Sequence, residues 1–231
     1  EVVALVAAGA AVHAGVHVHL QRAVAVEQLA HAGQRPLLPA LGELAGEADR
    51  FLDLGAGLGF LCALAARVVG EAAVTGVEAG PETLALARTN LDANGFPGVR
   101  LIHGAVTAGA GGEGEEVDFG QRPAFWASAL KGPAGWPANA RVLRVPARPL
   151  AALLNDVRPT VLACDIEGAE REVLSRPLPG LRLIVTELHP GLYGPEGVAE
   201  VTEALAAQGF LSEPQGTSGA TRVLRRDAPA S

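Results

Sequence analysis

An acidic segment that follows an apolar run carries the residue types that proton-transfer chemistry needs. In VLACDIEGAEREVL, three carboxylates surround one glycine at the end of a predicted buried strand: Asp165, Glu167 and Glu170. Carboxylates in such a place can orient a hydroxyl group or accept its proton. The dipole of a following helix start is enough to explain Glu170. Asp165 lies at the strand end itself and needs a partner if it is buried, so we interpret it as functional.

A second pair of polar residues ends the next predicted strand, LRLIVTELHP. Glu187 and His189 are two residues apart, so they point to the same side of that strand. They could converge with Asp165 and Glu167 at one rim, where Asp165 or His189 would act as a base. We predict Asp165, Glu167 and His189 as catalytic residues, and a hydrogen-bonded structural role for His189 stays open. A divalent ion could bind such a cluster, but carboxylates orient a hydroxyl without one, so no metal site is predicted.

The glycine-rich segment DLGAGLG lies between a predicted strand and a predicted helix, where glycines let a ligand approach the main chain closely. Dinucleotide binders need the spacing G-x-G-x-x-G for a pyrophosphate, but Phe60 takes the place of the third glycine here. Asp53 would also repel a pyrophosphate, whereas it suits a cationic ammonium. The pattern therefore favours S-adenosylmethionine, which carries an ammonium and no phosphate. A structural turn in which Asp53 only caps the helix is the alternative.

The next two strand ends complete a predicted nucleoside site. Glu78 follows about twenty residues beyond the glycines, at a strand end where an acid accepts hydrogen bonds from ribose hydroxyls. One strand later, the segment around His103 lies where an adenine ring would bind. The predicted cofactor-binding residues are Asp53, Gly55, Ala56, Gly57, Gly59, Glu78, Ala79, His103, Gly104 and Ala105.

The elements that must position these residues alternate in type from residue 50 onward. Residues 50–106 have the pattern β-α-β-α-β at short spacing, which predicts parallel strands with right-handed crossovers. An insertion at about 107–145 breaks this rhythm with a glycine-rich acidic segment and both tryptophans, Trp126 and Trp136, so it is a lid, a binding loop or disordered. Beyond it we predict a strand, a helix, the strand TVLACD, a helix at about 168–174, a buried strand, a helix and a C-terminal antiparallel hairpin.

The rest of the sequence predicts two parts of the chain and excludes some classes of partner. Residues 1–49 are a weakly patterned extension, and residues 50–231 are the main domain. His13, His17 and His19 share one face of a predicted strand in the extension, which is better explained as a solvated surface than as a metal site. The 231 residues are 49% hydrophobic with a net charge of −7, so a large core is possible and non-specific binding to nucleic acid is disfavoured.

Two further features bear on location. Cys62 and Cys164 lie in apolar runs and are predicted to be small core residues rather than a disulfide. No apolar run is long enough to span a bilayer, and the first residues lack the basic start of a signal peptide. We therefore expect a cytoplasmic protein without membrane partners. Abundant alanine and glycine with a single lysine suggest a bacterial source.

The segments FLDLGAGLGF, ACDIEGAEREVL and VTELHP together resemble the FkbM family of S-adenosylmethionine-dependent methyltransferases over about residues 50–190. The resemblance implies a three-layer, Rossmann-like α/β class I methyltransferase fold, whose seven-stranded sheet is mostly parallel with a C-terminal antiparallel hairpin. It also implies that Asp53 and the following glycines line the methionine part of the cofactor and that Glu78 holds the ribose. The chain departs from the family at Gly57, where Asn is frequent, and at Ala163, where Lys is frequent.

The family resemblance and the predicted sites lead to one function. We expect transfer of a methyl group from S-adenosylmethionine to a hydroxyl of a small molecule or saccharide, without nucleic acid as a partner. A nicotinamide oxidoreductase and a non-catalytic domain that only binds the cofactor are the alternatives. The acceptor and the oligomeric state do not follow from the sequence.

Overall fold

The structure is a computed structural model of the chain and describes residues 44–109, 114–123, 127–131, 135–136 and 139–226. Three sequence predictions lie outside the described residues: the extension up to residue 43, its histidine-bearing strand, and the environment of Trp126.

The described chain alternates short strands and helices from residue 51. In chain order the elements are β1 (Phe51–Leu54), α1 (Phe60–Val69), β2 (Val74–Glu78), α2 (Pro81–Ala93), β3 (Arg100–His103), β4 (Ala105–Thr107), β5 (Glu116–Gln121), β6 (Ala129–Leu130), β7 (Arg141–Pro149), α3 (Leu150–Val157), β8 (Val161–Cys164), α4 (Glu170–Val173), β9 (Leu183–Glu187), α5 (Pro190–Ala207), β10 (Leu211–Ser218) and β11 (Thr221–Arg225).

A seven-stranded sheet with the order β10-β11-β9-β8-β1-β2-β3 forms the centre of the fold. The strands from β9 to β3 are parallel, and β11 pairs antiparallel with both β9 and β10. This confirms the predicted mostly parallel α/β fold and its C-terminal hairpin. The strand order reverses between β1 and β8, which are direct neighbours. Open parallel sheets bind ligands beyond the strand ends at such a point.

Burial on both faces explains why β1 and β8 are almost wholly apolar. Every residue of these two strands is buried, as expected for parallel strands that are covered on both sides. Phe51 packs in the cluster that contains helix α1, and its neighbour Leu52 packs in the cluster on the opposite face. The alternation of side chains therefore places Asp53 on the same face as Phe51, under helix α1.

The insertion forms a second sheet in place of the loop, lid or disordered segment that the sequence predicts. Its strand order is β4-β7-β5-β6, with β4 parallel and β5 antiparallel to β7. The sheet is joined to the main sheet at the end of β3, where Nε of Arg148 donates to the carbonyl oxygen of His103 at 2.8 Å. A Cβ atom on Gly104 would lie 2.5 Å from the carbonyl oxygen of Pro146, so glycine permits this contact.

One helix differs from its predicted bounds, and another is kinked. Helix α4 covers only Glu170–Val173, because the predicted first residues belong to a loop in which Gly168 has a φ of 108°. Helix α5 begins at Pro190 and contains a kink, with non-helical angles at Tyr193 and Gly194. Among the described helices, none combines the length and the apolar character that a membrane crossing requires.

Candidate active site

A cleft lies beyond the carboxyl ends of β1, β2 and β8, at the point where the strand order reverses. Most of the residues that the sequence predicts for the site line it: Asp53, Gly55, Ala56, Gly57, Glu78, Ala79, Gly104, Ala105, Asp165 and Glu167. Three predicted residues do not line it, namely Gly59, His103 and His189. The two acids predicted for the cofactor thus share one cleft with two of the acids predicted for catalysis.

The glycine-rich turn after β1 is fixed to both neighbouring strands. The backbone N–H groups of Gly55 and Ala56 donate to the carbonyl oxygen of Val77 in β2, at 3.0 and 2.9 Å. Gly55 has a φ of 84°, and a Cβ atom at this position would overlap the carbonyl oxygen of Asp165 after β8. Gly59 instead packs against helix α2, since its Cβ position is 3.3 Å from Leu91. Gly59 thus has a role in helix packing in this structure, and its contact with the cofactor stays a prediction.

Glu78 holds the glycine-rich turn against the end of β2. Its Oε2 accepts from the N–H of Gly57 at 2.9 Å, and its Oε1 accepts from the N–H of Gly80 at 2.7 Å. Burial raises the pKa of Glu78, and these backbone donors act in the opposite direction. A carboxylate offers about four acceptor positions, so Glu78 can still accept hydrogen bonds from hydroxyl groups in the cleft.

Asp53 is 1% exposed and has a side-chain partner that the sequence did not indicate. The thiol of Cys62, on the buried face of α1, donates to Oδ2 of Asp53 at 3.3 Å. Burial raises the pKa of Asp53 to about 7, the Cys62 hydrogen bond lowers it, and the nearby Glu78 carboxylate raises it. Cys62 is thus a small core residue, as predicted, and also orients this carboxylate.

We expect the affinity for S-adenosylmethionine to increase as the pH rises through about 7. A cationic ligand beside Asp53 stabilises its ionised form, so binding is weaker below the pKa of the free protein and can change by up to about tenfold per pH unit there. The measurement is calorimetric titration between pH 6 and pH 8. The Asp53→Asn variant should bind more weakly at pH 8 and lose most of this pH dependence. An unchanged pH profile in that variant would show that Asp53 does not face the cation.

The segment after β3 contributes backbone to the cleft rather than a histidine ring. Gly104 and Ala105 line the cleft. The Nε2 atom of His103 lies 3.1 Å from the carbonyl oxygen of Ala79 and forms a hydrogen bond to it. The ring thereby joins the ends of β2 and β3, and the predicted contact of His103 with an adenine ring does not follow from its position.

The catalytic residues predicted from the sequence lie together around His189. Its Nε2 atom is 3.7 Å from Oδ1 of Asp165 and 3.6 Å from Oε2 of Glu167, and its Nδ1 atom is 3.3 Å from Oε1 of Glu170. Oδ1 of Asp165 and Nδ1 of His189 are buried and lack a hydrogen-bond partner among the described residues. Asp165 and Glu167 reach the cleft, whereas His189 lies behind them.

Glu170 has a role that a helix dipole alone does not explain. It is 0% exposed, and its two oxygens accept from the N–H groups of Ile166 and Gly168, each at 2.9 Å. These bonds hold a loop in which Glu167 has a φ of 52°, a conformation that costs energy for a residue with a side chain. Strain of this kind is frequent where a side chain must be aimed at a ligand, and Glu167 lines the cleft.

The protonation states in this cluster follow from burial and crowded negative charge. Burial raises the pKa of Asp165, and the carboxylates of Glu187 and Glu167 raise it further. Burial raises the pKa of Glu167 to about 7, while the charge of His189 lowers it. Burial alone would lower the pKa of His189, but contact with Glu170 and the other carboxylates raises it above its usual range. The imidazole therefore holds a proton at neutral pH.

A metal ion could find ligands in the same cluster. One ligand atom from each of Asp165, Glu170 and His189 lies within 4.8 Å of the others. Glu170, however, already accepts two backbone hydrogen bonds, and a metal would have to displace the proton that the neighbouring carboxylates favour on His189. The absence of a metal therefore stays a prediction.

Tyr193 supports His189 and was not identified from the sequence. Its hydroxyl oxygen accepts from the backbone N–H of His189 at 2.6 Å, inside the kink of helix α5. Burial raises the pKa of Tyr193 to about 12, so it remains a neutral hydroxyl. The signal that could have identified it is the segment HPGLYGP, in which glycines and prolines interrupt the helical pattern next to the predicted catalytic histidine.

Two sequence comparisons match part of the chain. Residues 45–118 match a family described as "Methyltransferase domain". Over 77 residues the chain is 42% identical to the ribosomal protein L11 methyltransferase of Deinococcus radiodurans, covering 33% of this chain and 28% of that protein. The chain thus spans under a third of the length of this curated relative.

One solved structure shares the fold at low sequence identity, and a second is less similar. A candidate rRNA methylase from Clostridium thermocellum has a TM-score of 0.53 and 10% identity, covering 87% of this chain and 99% of the other. An O-methyltransferase from Bacillus cereus in complex with SAH has a TM-score of 0.47 and 12% identity, covering 84% and 80%. The chain has the Rossmann-like class I methyltransferase fold. The matched domain supports an S-adenosylmethionine-dependent methyltransferase.

Proposed function

We propose that the chain transfers the methyl group of S-adenosylmethionine to a hydroxyl oxygen of a small molecule or saccharide, with residues 50–231 as the methyltransferase domain. One observation supports this most directly. The acids suited to the cofactor, Asp53 and Glu78, and the acids suited to a hydroxyl, Asp165 and Glu167, line the same cleft at the reversal of the strand order.

Some residues of the cleft would bind the cofactor, and others would act on the acceptor hydroxyl. S-adenosylmethionine, when bound, supplies a methyl group on a positively charged sulfur. Asp53 would hold the ammonium group of this ligand, and Glu78 would hold its ribose hydroxyls. Methyl transfer needs in-line approach of the acceptor oxygen at about 3–3.5 Å, which depends on positioning. Asp165 and Glu167 would orient the acceptor hydroxyl.

Glu167 is the group best suited to accept the proton of the acceptor. Its pKa of about 7 lets it change protonation state near neutral pH, which is the condition for an efficient general base. His189, already protonated, would stabilise the two carboxylates through charge rather than act as the base. This assignment differs from the sequence prediction, in which Asp165 or His189 was the base.

The acceptor class rests on several further arguments. The acidic motif ACDIEGAE supports assignment to the FkbM-type enzymes, whose acceptors are hydroxyl groups. A net charge of −7 disfavours the phosphate contacts that a nucleic acid acceptor needs. We therefore propose a small acceptor rather than RNA, in a protein that works in the cytoplasm of a bacterium.

A nicotinamide cofactor is disfavoured because Asp53 lines the cleft where a pyrophosphate would lie.

The test is a transfer assay with S-adenosylmethionine that is labelled in its methyl group. Its arms are a panel of hydroxylated small molecules and saccharides, ribosomal RNA, and ribosomal protein L11. The proposal predicts label in at least one member of the hydroxylated panel, at an oxygen, and none in the two macromolecules. Label on RNA or on the protein, with none in the panel, would contradict the proposed acceptor class.

A further inference from the structure

The second sheet supplies an aromatic side chain to the cleft that the sequence analysis did not single out. Phe119 in β5 lines the cleft and is 5% exposed. Strand β5 pairs with β7 on one side and with β6 on the other, so Phe119 lies opposite Leu143 and Leu130. The ring is therefore held in the middle of a sheet and not on a loose connection.

The contacts of Phe119 place it at one particular end of the cleft. It belongs to a small apolar cluster with Ala105 and Val145, against which Ala79 also packs. Ala79 follows Glu78 at the end of β2, and Ala105 is the second residue after the end of β3. This is the end where the sequence predicts the nucleoside, and it is distant in the strand order from β8 and Asp165.

Among the described aromatic side chains, Phe119 is the best placed to cover a base at this end. The ring of His103 is bonded to the carbonyl oxygen of Ala79 and does not line the cleft. Phe60, the other phenylalanine of the cleft, begins helix α1 and packs in the cluster beside β1. Gly104 and Ala105 offer backbone and one methyl group only.

We propose that Phe119 stacks against the adenine ring of the bound cofactor, and that the second sheet is the wall that holds this ring in place. The inference rests on the proposed use of S-adenosylmethionine. A base contacts an aromatic side chain favourably through its flat face, and such stacking needs no hydrogen bond to the base. Adenine would thus lie against the cleft side of Phe119, next to Gly104 and Ala105.

The junction between the two sheets keeps this wall at a fixed distance from the cleft floor. Arg148 donates to the carbonyl oxygen of His103, and the missing side chain of Gly104 lets β7 approach the end of β3. A second link runs from Nε2 of Gln121 in β5 to Glu82 in helix α2, at 3.4 Å. Because β4 joins directly to β3, the wall and the adenine site are built from adjacent parts of the chain.

The experiment measures the binding of S-adenosylmethionine and of adenosine to the wild-type chain and to three variants. Phe119→Ala removes the ring, and Phe119→Leu removes the flat face but keeps most of the apolar volume. Val145→Ala is the matched control, since Val145 belongs to the same buried cluster but does not line the cleft. Thermal unfolding of each variant reports the loss of packing separately from the loss of binding.

The inference predicts that Phe119→Ala weakens both ligands by the same factor, about tenfold or more. Phe119→Leu should keep a stability close to that of the wild type and still lose several-fold in affinity. Val145→Ala should lower the unfolding temperature without a comparable loss of affinity. Wild-type affinity in Phe119→Leu, or an equal loss in Val145→Ala, would overturn the stacking role alone. A wild-type chain that binds neither ligand would contradict the proposed function itself.

Discussion

Replacing Asp165 by Asn should lower the rate of methyl transfer by about 10² while S-adenosylmethionine still binds, because Asp165 helps to orient the acceptor hydroxyl. Asp165 lies at the end of β8, lines the cleft and is 3.7 Å from Nε2 of His189, which is also 3.6 Å from Glu167. An amide keeps the volume of the carboxyl group but has an N–H donor in place of one oxygen, so the acceptor hydroxyl is oriented less well. The measurement is kcat with a saturating acceptor that the labelled transfer assay has identified, together with the Kd of the cofactor.

A suitable control is Asp156→Asn, which removes another carboxylate of the same domain. Asp156 is about half exposed and pairs with Arg100 on the surface at 2.7 Å. Exposed pairs contribute little, so this variant should retain wild-type kcat and cofactor affinity. If Asp165→Asn also retained wild-type kcat, the acidic cluster would have no part in the reaction. If it lost the cofactor instead, Asp165 would belong to the cofactor site.

Replacing Gly55 by Ala should destabilise the fold by about 4 kcal/mol or more, an unusually large effect for one methyl group. The added Cβ atom would overlap the carbonyl oxygen of Asp165, which belongs to the backbone and cannot turn aside like a side chain. The N–H of Asp165 also donates to the carbonyl oxygen of Leu54 at 2.9 Å, so β1 and β8 are joined at this point. Relief of the overlap would separate the two strand ends that build the cleft.

Gly95→Ala is the matched control for this experiment. Gly95 also has a φ of 84°, but a Cβ atom there has nothing within 4 Å. Its substitution should therefore cost only the backbone strain, about 1–2 kcal/mol. Chemical denaturation of both variants measures the difference. Equal losses of stability in the two variants would show that the approach of β8 to the glycine-rich turn is looser than the structure has it.

The cofactor end of the cleft could be predicted because its signals are local in the sequence. A glycine-rich turn directly follows one buried strand, and Glu78 ends the next. In a parallel sheet, neighbouring strand ends meet at one edge, so spacing along the chain determines proximity in space. The same reasoning places Asp165 beside Gly55, since β8 pairs with β1.

The wall of the cleft could not be predicted in this way. Strand β5 pairs with β7, twenty to thirty residues further along the chain, and glycine-rich and aromatic segments intervene. The sequence of one strand does not indicate its distant partner. The only local signal in β5 is the alternation of Val117 and Phe119 with polar residues. The insertion consequently has the composition of a loop, although its described part contains paired strands.

The hydrogen bond of His103 and the backbone contacts of Glu170 could not be predicted, for a different reason. His103 follows a strand in the right place for an adenine contact, but a backbone acceptor at Ala79 lies nearer to its ring. Glu170 has the position of a helix-start acid, and the backbone donors it satisfies exist only because Glu167 and Gly168 have positive φ angles. Both outcomes depend on backbone geometry that residue types alone do not specify.

The most direct test of the central claim is a crystal structure of the chain with S-adenosylhomocysteine, which has the ammonium and ribose groups of the cofactor. The claim predicts the ammonium within about 3.2 Å of Asp53 or one water away from it, and the ribose hydroxyls on Glu78. The electron density of the ligand should begin beside the glycine-rich turn after β1 and extend past the end of β2 to the end of β3. A ligand bound elsewhere, or a cleft that takes up NAD in preference to S-adenosylhomocysteine, would contradict the account.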